Sequence, residues 1–255
     1  MNKILSKISL ILLKIISWLN YLANKVVIYL SAFKIYFDKT ECEKLSDCRL
    51  LVKLKVNQPP ASDRYIEYPW MMENISVKQG RLLDVGSTAC EMLFSLLPSS
   101  VEIHGINLND KIVKNQNIKF FVADIRKTCF QDNYFDCITC ISTLEHIGVS
   151  GRYGSDEDKQ GDVKAIKEMK RILKPGGELL ITVPYGKNDI LPINKLYNKK
   201  RLNILLNNFC VIKQTFIKYN QRWGIWLKVN EAEAAETDMI KDGWYALALI
   251  KILKK

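Results

Sequence analysis

The sequence predicts an α/β fold with a doubly wound, mostly parallel seven-stranded sheet and an antiparallel hairpin at one edge. Two patterns predict it. From Gly80 onward, short apolar runs alternate with amphipathic stretches, as they do where helices connect parallel strands. Further along, residues 209–220 and 244–253 form two longer strand-like runs with an irregular segment and no crossover helix between them, which favours an antiparallel pair.

The size and charge of the chain limit what it does. A length of 255 residues with 48% apolar content supplies one large core and excludes disorder throughout. The 38 basic and 27 acidic residues give a net charge of +11, which favours a nucleic acid, an anionic membrane surface or an anionic small molecule as partner. Seven irregularly spaced cysteines without a secretory signal indicate no disulfide framework, so we expect a reducing, cytoplasmic location.

Residues 1–37 contain five lysines and no acidic residue. On a helix, Lys3, Lys7, Lys14 and Lys25 fall on one narrow edge, which predicts a basic amphipathic helix. A spanning helix would place Lys14 near the membrane centre at a cost of about 2.5 to 3.5 kcal/mol, whereas an interfacial helix keeps the lysines beside anionic headgroups. We predict an interfacial helix at the inner membrane face, with a spanning helix and a helix packed on protein as alternatives.

A polar, charged linker is predicted at 38–60. It ends in Pro59 and Pro60, a stiff pair that breaks regular structure. The remaining residues, 61–255, are predicted to form a single domain.

Five strands are predicted in the first part of this domain, and each is an apolar run followed by a polar residue or glycine. They are the runs 81–86, 101–108, 118–124, 134–143 and 178–186. Helices are predicted at 88–97, at 163–173 with Asp162 as N-cap, and at about 194–205.

Two features that resemble functional motifs are interpreted as structural. Cys137 and Cys140 form a C-x-x-C pattern inside the fourth strand, where strand geometry directs the two thiols to opposite faces. We therefore predict no redox or metal site there. His104 lies within the second strand and is predicted to pack.

The turn after the first strand contains a single glycine, Gly86. Ligands of doubly wound sheets bind where the strands end, and loops that bind a pyrophosphate repeat glycine because their backbone must approach the phosphates closely. Thr88 and Cys90 stand where further glycines would be expected. The loop therefore disfavours a dinucleotide cofactor.

Five motifs follow one another along the domain: "LLDVGS", "HGINLND", "FVADIRK", "FDCITCISTLEHIG" and "RILKPGGELLITVPYG". In this order and spacing, residues 65–253 resemble the class I S-adenosylmethionine-dependent methyltransferases, particularly the small-molecule, methyltransferase type 11-like group. The resemblance implies a Rossmann-like sheet, S-adenosylmethionine as cofactor and methyl transfer to a small molecule. This cofactor carries no phosphate, so its loop does not need repeated glycines.

The resemblance also implies which residues contact the cofactor. The first loop would lie under the methionine and ribose, Asn107 stands where relatives carry an acid for the ribose hydroxyls, and the acid after the third strand would accept from the adenine amino group. A lid before the first strand would cover the methionine end. The residues implied are Asp84, Gly86, Ser87, Asn107, Asp124, Ile125 and Tyr65.

Glu145 and His146 follow the fourth strand and are the predicted catalytic residues, with capping of the next segment as the structural alternative. His146 is the better base because imidazole titrates near neutral pH. Some relatives bind a divalent metal through E-x-x-E-H, but Ser142 replaces the first glutamate, so no metal is predicted. The long loop 148–162 is predicted to border the acceptor.

The acceptor is predicted to be a small molecule, a lipid or a glycan precursor, because the basic N-terminal segment indicates a membrane surface. No nucleic acid is expected, since no stripe of interleaved arginine and aromatic residues is present. Two alternatives remain. One is a non-catalytic, membrane-associated binding protein of the same fold, suggested by Thr88 and Asn107, and the other is a nicotinamide-dependent oxidoreductase, which the missing glycines oppose.

Overall fold

The computed structural model describes residues 63–86, 94, 96–109, 118–150, 153, 156–191, 193–220 and 225–255, without the side chains of Tyr65, Asn220 and Ile225. The predictions for the N-terminal helix, the linker and the domain boundary after residue 60 lie outside these ranges. Ser87 and most of the predicted helix at 88–97 also lie outside them.

An eight-stranded sheet organises the described residues, in the order β3-β2-β1-β4-β5-β8-β6-β7. Its strands are β1 (Gly80–Val85), β2 (Val101–Asn107), β3 (Ile118–Val122), β4 (Phe135–Ile141), β5 (Leu173–Tyr185), β6 (Phe209–Asn220), β7 (Ile225–Val229) and β8 (Ala246–Lys254). Strands β1 to β5 pair in parallel, and β8 is antiparallel to both β5 and β6. The predicted doubly wound sheet with an antiparallel edge is thereby confirmed.

The sheet has one strand more than the seven predicted. The sequence predicts an irregular segment between the two long C-terminal runs, but β7 and two short helices, Glu231–Ala235 and Met239–Asp242, occupy part of it. The five residues of β7, "IWLKV", are β-branched, aromatic or long, but the run is too short to be separated from a loop by periodicity alone.

Five helices and one 3₁₀ turn accompany the strands in the described ranges. They are α1 (Arg64–Asn74), the 3₁₀ turn (Leu144–His146), α2 (Gly161–Ile172), α3 (Lys199–Leu205), α4 (Glu231–Ala235) and α5 (Met239–Asp242). None of these helices combines the length and the apolar composition that crossing a bilayer requires.

Two predicted helix starts are wrong. Helix α2 begins at Gly161 with Gln160 as N-cap, and the Asp162 side chain instead accepts hydrogen bonds from Tyr197 and Lys195. Helix α3 begins at Lys199, because the Asn198 side chain caps it by accepting from the Arg201 backbone N–H at 3.0 Å. Before Asn198 the chain forms a turn, in which the Asn194 N–H donates to the Ile190 carbonyl, and an isolated bridge between Tyr197 and Tyr185.

The core is centred on β4, β5 and β8, whose residues are largely buried on both faces. Cys137 and Cys140 are both fully buried in β4, and burial raises the pKa of each thiol. Because the thiolate is the reactive form, this environment disfavours redox or metal chemistry at the C-x-x-C pattern. His104 is buried as predicted.

The contacts divide the chain into two units. The larger comprises residues 70–218 and 228–255, and the smaller contains residues up to Pro69 together with 219–227. Within the smaller unit, the Arg64 guanidinium pairs with the buried Glu67 carboxylate, and the rings of Tyr219 and Trp226 lie 5.2 Å apart.

Candidate active site

Seven of the predicted site residues lie at the carboxyl-terminal ends of the neighbouring strands β3, β2, β1 and β4. Val85 is in register with Ile106 on one side and Cys140 on the other, and Asn107 is in register with Val122, so these strands end nearly level. The residues at or just beyond these ends are Asp84, Gly86, Asn107, Asp124, Ile125, Glu145 and His146. Ser87 and the Tyr65 side chain are outside the described residues.

Asp84 connects the two strands between which the strand order reverses. Its side chain is 2% exposed, and its Oδ1 accepts a hydrogen bond from the Thr139 hydroxyl at 2.7 Å. Asp84 and Thr139 are also register partners across β1 and β4. Thr139 is a contact that sequence reasoning missed, although a hydroxyl inside the apolar run "CITC" is a signal for a buried polar partner.

Gly86 is required by the protein's own packing. Its φ is +77°, a conformation that favours glycine, and a Cβ there would overlap the side chain of Thr143. The Gly86 N–H donates to the Ile106 carbonyl at 2.9 Å. The close approach of the turn after β4 therefore explains this glycine, and its contact with a cofactor stays a prediction.

Asp124 is held by Arg126, a residue that sequence reasoning missed. The Arg126 backbone N–H donates to Oδ1 of Asp124 at 2.8 Å, and its Nε and Nη2 donate to Oδ2 at 2.9 and 2.6 Å. Burial opposes the charge of the carboxylate, but these hydrogen bonds outweigh burial and lower the pKa of Asp124. Arg126 also donates to Asp158, at 3.4 Å, within the predicted acceptor loop 148–162.

His146 is held in a defined orientation at the end of the 3₁₀ turn. Its Nδ1 lies 3.0 Å from the Ile193 carbonyl oxygen, and its side chain is 15% exposed. Because a carbonyl oxygen only accepts hydrogen bonds, Nδ1 is the donor, and a neutral imidazole then carries its lone pair on Nε2. This arrangement suits a general base that takes a proton at Nε2.

Glu145 is placed differently from His146. Its side chain is 3% exposed, and its Oε1 lies 3.8 Å from His146 Nε2, beyond hydrogen-bond distance. The carboxylate would attract the imidazolium that forms when His146 accepts a proton. The catalytic roles of His146 and Glu145 stay predictions.

Ser142 stands in a strained conformation where metal-binding relatives carry a glutamate. Its φ is +41°, and its backbone N–H donates to the Thr182 hydroxyl at 2.9 Å. In the described part of the chain, no group of three or more His, Cys, Asp or Glu side chains is placed to hold a metal ion.

The segments that contact His146 carry large exposed side chains. Ile193, whose carbonyl binds the imidazole, is 46% exposed, and Leu191 two residues earlier is 62% exposed. The ring of Tyr153 lies 4.8 Å from the His146 ring. We name these three exposed side chains the apolar rim: Tyr153 contacts the His146 ring, and the other two belong to the segment whose Ile193 carbonyl binds it.

Comparisons with known proteins agree with this geometry. A family model described as "Caenorhabditis protein of unknown function, DUF268" matches residues 100–252. The chain is 32% identical over 139 residues to the ubiquinone/menaquinone biosynthesis C-methyltransferase UbiE of Pseudomonas putida. The matched residues make up 54% of this chain and 46% of that protein. The chain therefore spans less than half the length of this curated relative.

Solved structures show the same fold at low sequence identity. An S-adenosylmethionine-dependent methyltransferase of Methanosarcina mazei has a TM-score of 0.51 at 17% identity, covering 72% of this chain and 96% of its own. Phosphoethanolamine N-methyltransferase 2 of Haemonchus contortus, in complex with phosphomonomethylethanolamine and S-adenosylhomocysteine, has a TM-score of 0.52 at 16% identity, covering 76% and 53%.

These likenesses confirm the predicted resemblance to class I S-adenosylmethionine-dependent methyltransferases and their Rossmann-like fold. Since the family model matches more than half of this chain, the chain belongs to the family described as Caenorhabditis protein of unknown function, DUF268.

Proposed function

We propose that this chain transfers the methyl group of S-adenosylmethionine to a small-molecule acceptor. The observation that carries the proposal is the position of His146. This residue follows β4, the strand beside β1 and its Gly86 turn, and its Nδ1 is held by the Ile193 carbonyl. This is the edge at which doubly wound sheets bind ligands. The likeness to quinone C-methyltransferases supports the same reaction class.

The residues at this edge fit the proposed cofactor. Arg126 offers three N–H donors to Asp124, whose carboxylate accepts about four hydrogen bonds, so acceptor capacity remains for an adenine amino group. Asn107 would accept from one ribose hydroxyl, and the Gly86 turn would lie under the methionine. When bound, the cofactor supplies a methyl group on a sulfonium, which is already an excellent leaving group.

His146 would act on the acceptor. Positioning contributes most of the catalysis of such a displacement, and a base is needed only where the acceptor must lose a proton. Nε2 of His146 would take that proton, and the nearby Glu145 carboxylate would stabilise the resulting imidazolium. Loop 148–162 would border the acceptor through Tyr153.

The apolar rim favours an acceptor with a hydrophobic part. Leu191, Ile193 and Tyr153 would gain free energy by covering apolar surface, at roughly 25 cal/mol per Å². A lipid or a lipid-linked glycan precursor fits this rim. The basic segment at 1–37 supports a location at the inner membrane face, where such acceptors reside.

One observation favours a second candidate, a non-catalytic binding protein of the same fold. Asn107 has an amide where class I methyltransferases normally carry a carboxylate, and the lost charge assistance costs about 1 kcal/mol of cofactor affinity. Cofactor binding separates the two candidates.

The proposal predicts that the full-length chain binds S-adenosylmethionine and not NADH in calorimetric titrations. Replacing Asp124 with Ala should weaken this binding at least about tenfold, since a hydrogen bond to a charged group contributes about 1.5 to 3 kcal/mol. The matched control is Asp132→Ala, which removes a 71% exposed carboxylate paired with Arg171.

Each outcome of the titration has a defined meaning. Absence of cofactor binding by the folded wild type would support the non-catalytic candidate, and NADH binding would support an oxidoreductase. If Asp124→Ala binds as tightly as wild type, the placement of adenine at Asp124 is wrong.

A further inference from the structure

We propose that Lys195 is a positioning residue for His146, fixing the backbone on both sides of the imidazole and thereby its tautomer. The inference rests on the proposed function only in treating His146 as the base. The contacts that support it come from one segment, residues Ile193–Tyr197, which we name the strap.

The strap binds the 3₁₀ turn and its C-cap residue, Ile147, through three hydrogen bonds. The Lys195 backbone N–H donates to the Glu145 carbonyl at 3.1 Å, and its Nζ donates to the Ile147 carbonyl at 3.0 Å. The third bond joins His146 Nδ1 to the Ile193 carbonyl. Lys195 thus holds the residue before His146 and the residue after it, and the strap holds the ring itself.

The Lys195 ammonium is nearly buried and has one carboxylate partner in the described structure. Its side chain is 12% exposed, and its Nζ lies 3.3 Å from Oδ1 of Asp162, which is 10% exposed. The other oxygen of Asp162 accepts from the hydroxyl of the fully buried Tyr197 at 3.0 Å. A buried charge is stable only when it is paired and hydrogen-bonded, so this geometry tolerates little rearrangement.

This arrangement determines which nitrogen of His146 carries the proton. A neutral imidazole has two tautomers, and the hydrogen bond made by one nitrogen selects between them. The Ile193 carbonyl accepts only, so it selects Nδ1–H and places the lone pair of a neutral ring on Nε2. Without the Lys195 ammonium the strap would lose its bond to the Ile147 carbonyl and its ion pair with Asp162, and only the backbone bond to Glu145 would still hold the Ile193 carbonyl near Nδ1.

The sequence makes this tautomer directly measurable. The chain contains only two histidines, His104 and His146, so a protein labelled with ¹⁵N-histidine shows two imidazole patterns. Long-range ¹H–¹⁵N spectra distinguish Nδ1–H from Nε2–H, and a His104→Phe variant assigns the signals. The spectra would be recorded on the full-length chain at about pH 8, above the usual range of histidine titration.

We expect His146 of the wild type to show the Nδ1–H pattern. Lys195→Met, which keeps the length of the side chain and removes the ammonium, should shift His146 to a mixed or Nε2–H pattern, and Lys195→Arg should restore the wild-type pattern. The control Lys187→Met removes an exposed lysine paired with Glu236 and should leave His146 unchanged.

Two results would overturn the proposal: an Nε2–H pattern in the folded wild type, or an unchanged Nδ1–H pattern in folded Lys195→Met. If that variant does not fold, Asp162→Asn tests the same pair by removing the counter-ion, with the same shift expected and an unchanged pattern contradicting the proposal. Because the spectra read His146 directly and calorimetry reads cofactor binding, a failure of the proposed function would be seen separately from a failure of the positioning role.

Discussion

The two histidines have opposite environments. His104 lies inside a cluster of aromatic rings, with the rings of Phe121 and Phe135 at 5.8 and 5.3 Å, and its Nε2 lies 3.1 Å from Glu102. His146 lies at the edge of the sheet beside the apolar rim. The same residue type therefore packs inside the core in one place and lies at the candidate active site in the other.

His104 should make stability depend on pH. Burial lowers the pKa of His104, although Glu102 opposes this effect. The unfolded chain therefore binds a proton first as the pH falls, and stability is lost from about pH 6.5 down to the folded-state pKa, with a slope of up to about 1.4 kcal/mol per pH unit. Urea titrations across this range measure the slope.

The control for this prediction is His104→Phe, which keeps an aromatic ring in the cluster. It should remove the part of the slope that comes from His104, while the contribution of other groups remains. Equal slopes in the two proteins would show that His104 does not titrate differently in the folded and unfolded states.

At the scale of elements, the turn after β1 and the turn after β4 are packed against each other. Gly86→Ala should therefore destabilise the fold for two reasons: a positive φ costs about 1 to 2 kcal/mol, and overlap with Thr143 adds about 1 to 3 kcal/mol. Denaturant unfolding measures the sum.

Gly176 provides the matched control. Its φ is +72°, close to that of Gly86, but a Cβ there would meet nothing within 4 Å. Gly176→Ala should therefore show the conformational cost alone, and adding Thr143→Ala to Gly86→Ala should recover part of the difference. If both glycine substitutions cost the same, the contact with Thr143 does not constrain the turn.

The elements were predictable to different degrees. The strands β1 to β5 were predictable, because each contains an apolar run of strand length and such a run is visible in the local sequence. The starts of α2 and α3 were not predictable, because Asp162 is taken by Tyr197, 35 positions away, and residues 193–197 are drawn into the strap. Helix capping preferences are weak compared with such tertiary contacts.

The site was predictable only in part for the same reason. Strand ends locate Asp84, Asn107, Asp124 and His146, since parallel strands bring their carboxyl ends to one edge. The partners that hold these residues come from distant parts of the chain, as Lys195 does for the turn around His146. No periodicity or motif encodes such pairs.

At the scale of the whole molecule, we predict that the full-length chain binds anionic liposomes through its N-terminal lysines. Replacing Lys3, Lys7, Lys14 and Lys25 with Gln should weaken binding about a thousandfold at low salt, since each lysine near an anionic surface contributes about 1 kcal/mol. Co-sedimentation with phosphatidylserine liposomes measures this, and added salt should weaken the wild type.

The control replaces four exposed lysines of the folded region in the same way; these are Lys159, Lys167, Lys241 and Lys255. This variant should bind the liposomes as the wild type does. Equal losses in both variants would indicate that net charge, rather than the segment at 1–37, attracts the protein to the membrane.

The position of β8 has a consequence for synthesis. This strand follows all the others in sequence, yet it lies between β5 and β6 in the sheet. While the ribosome is still producing residues 246–254, β6 has no neighbour through which it can join β5. Strands β1 to β5 can assemble as the chain emerges, whereas β6 must wait for β8 before it can dock.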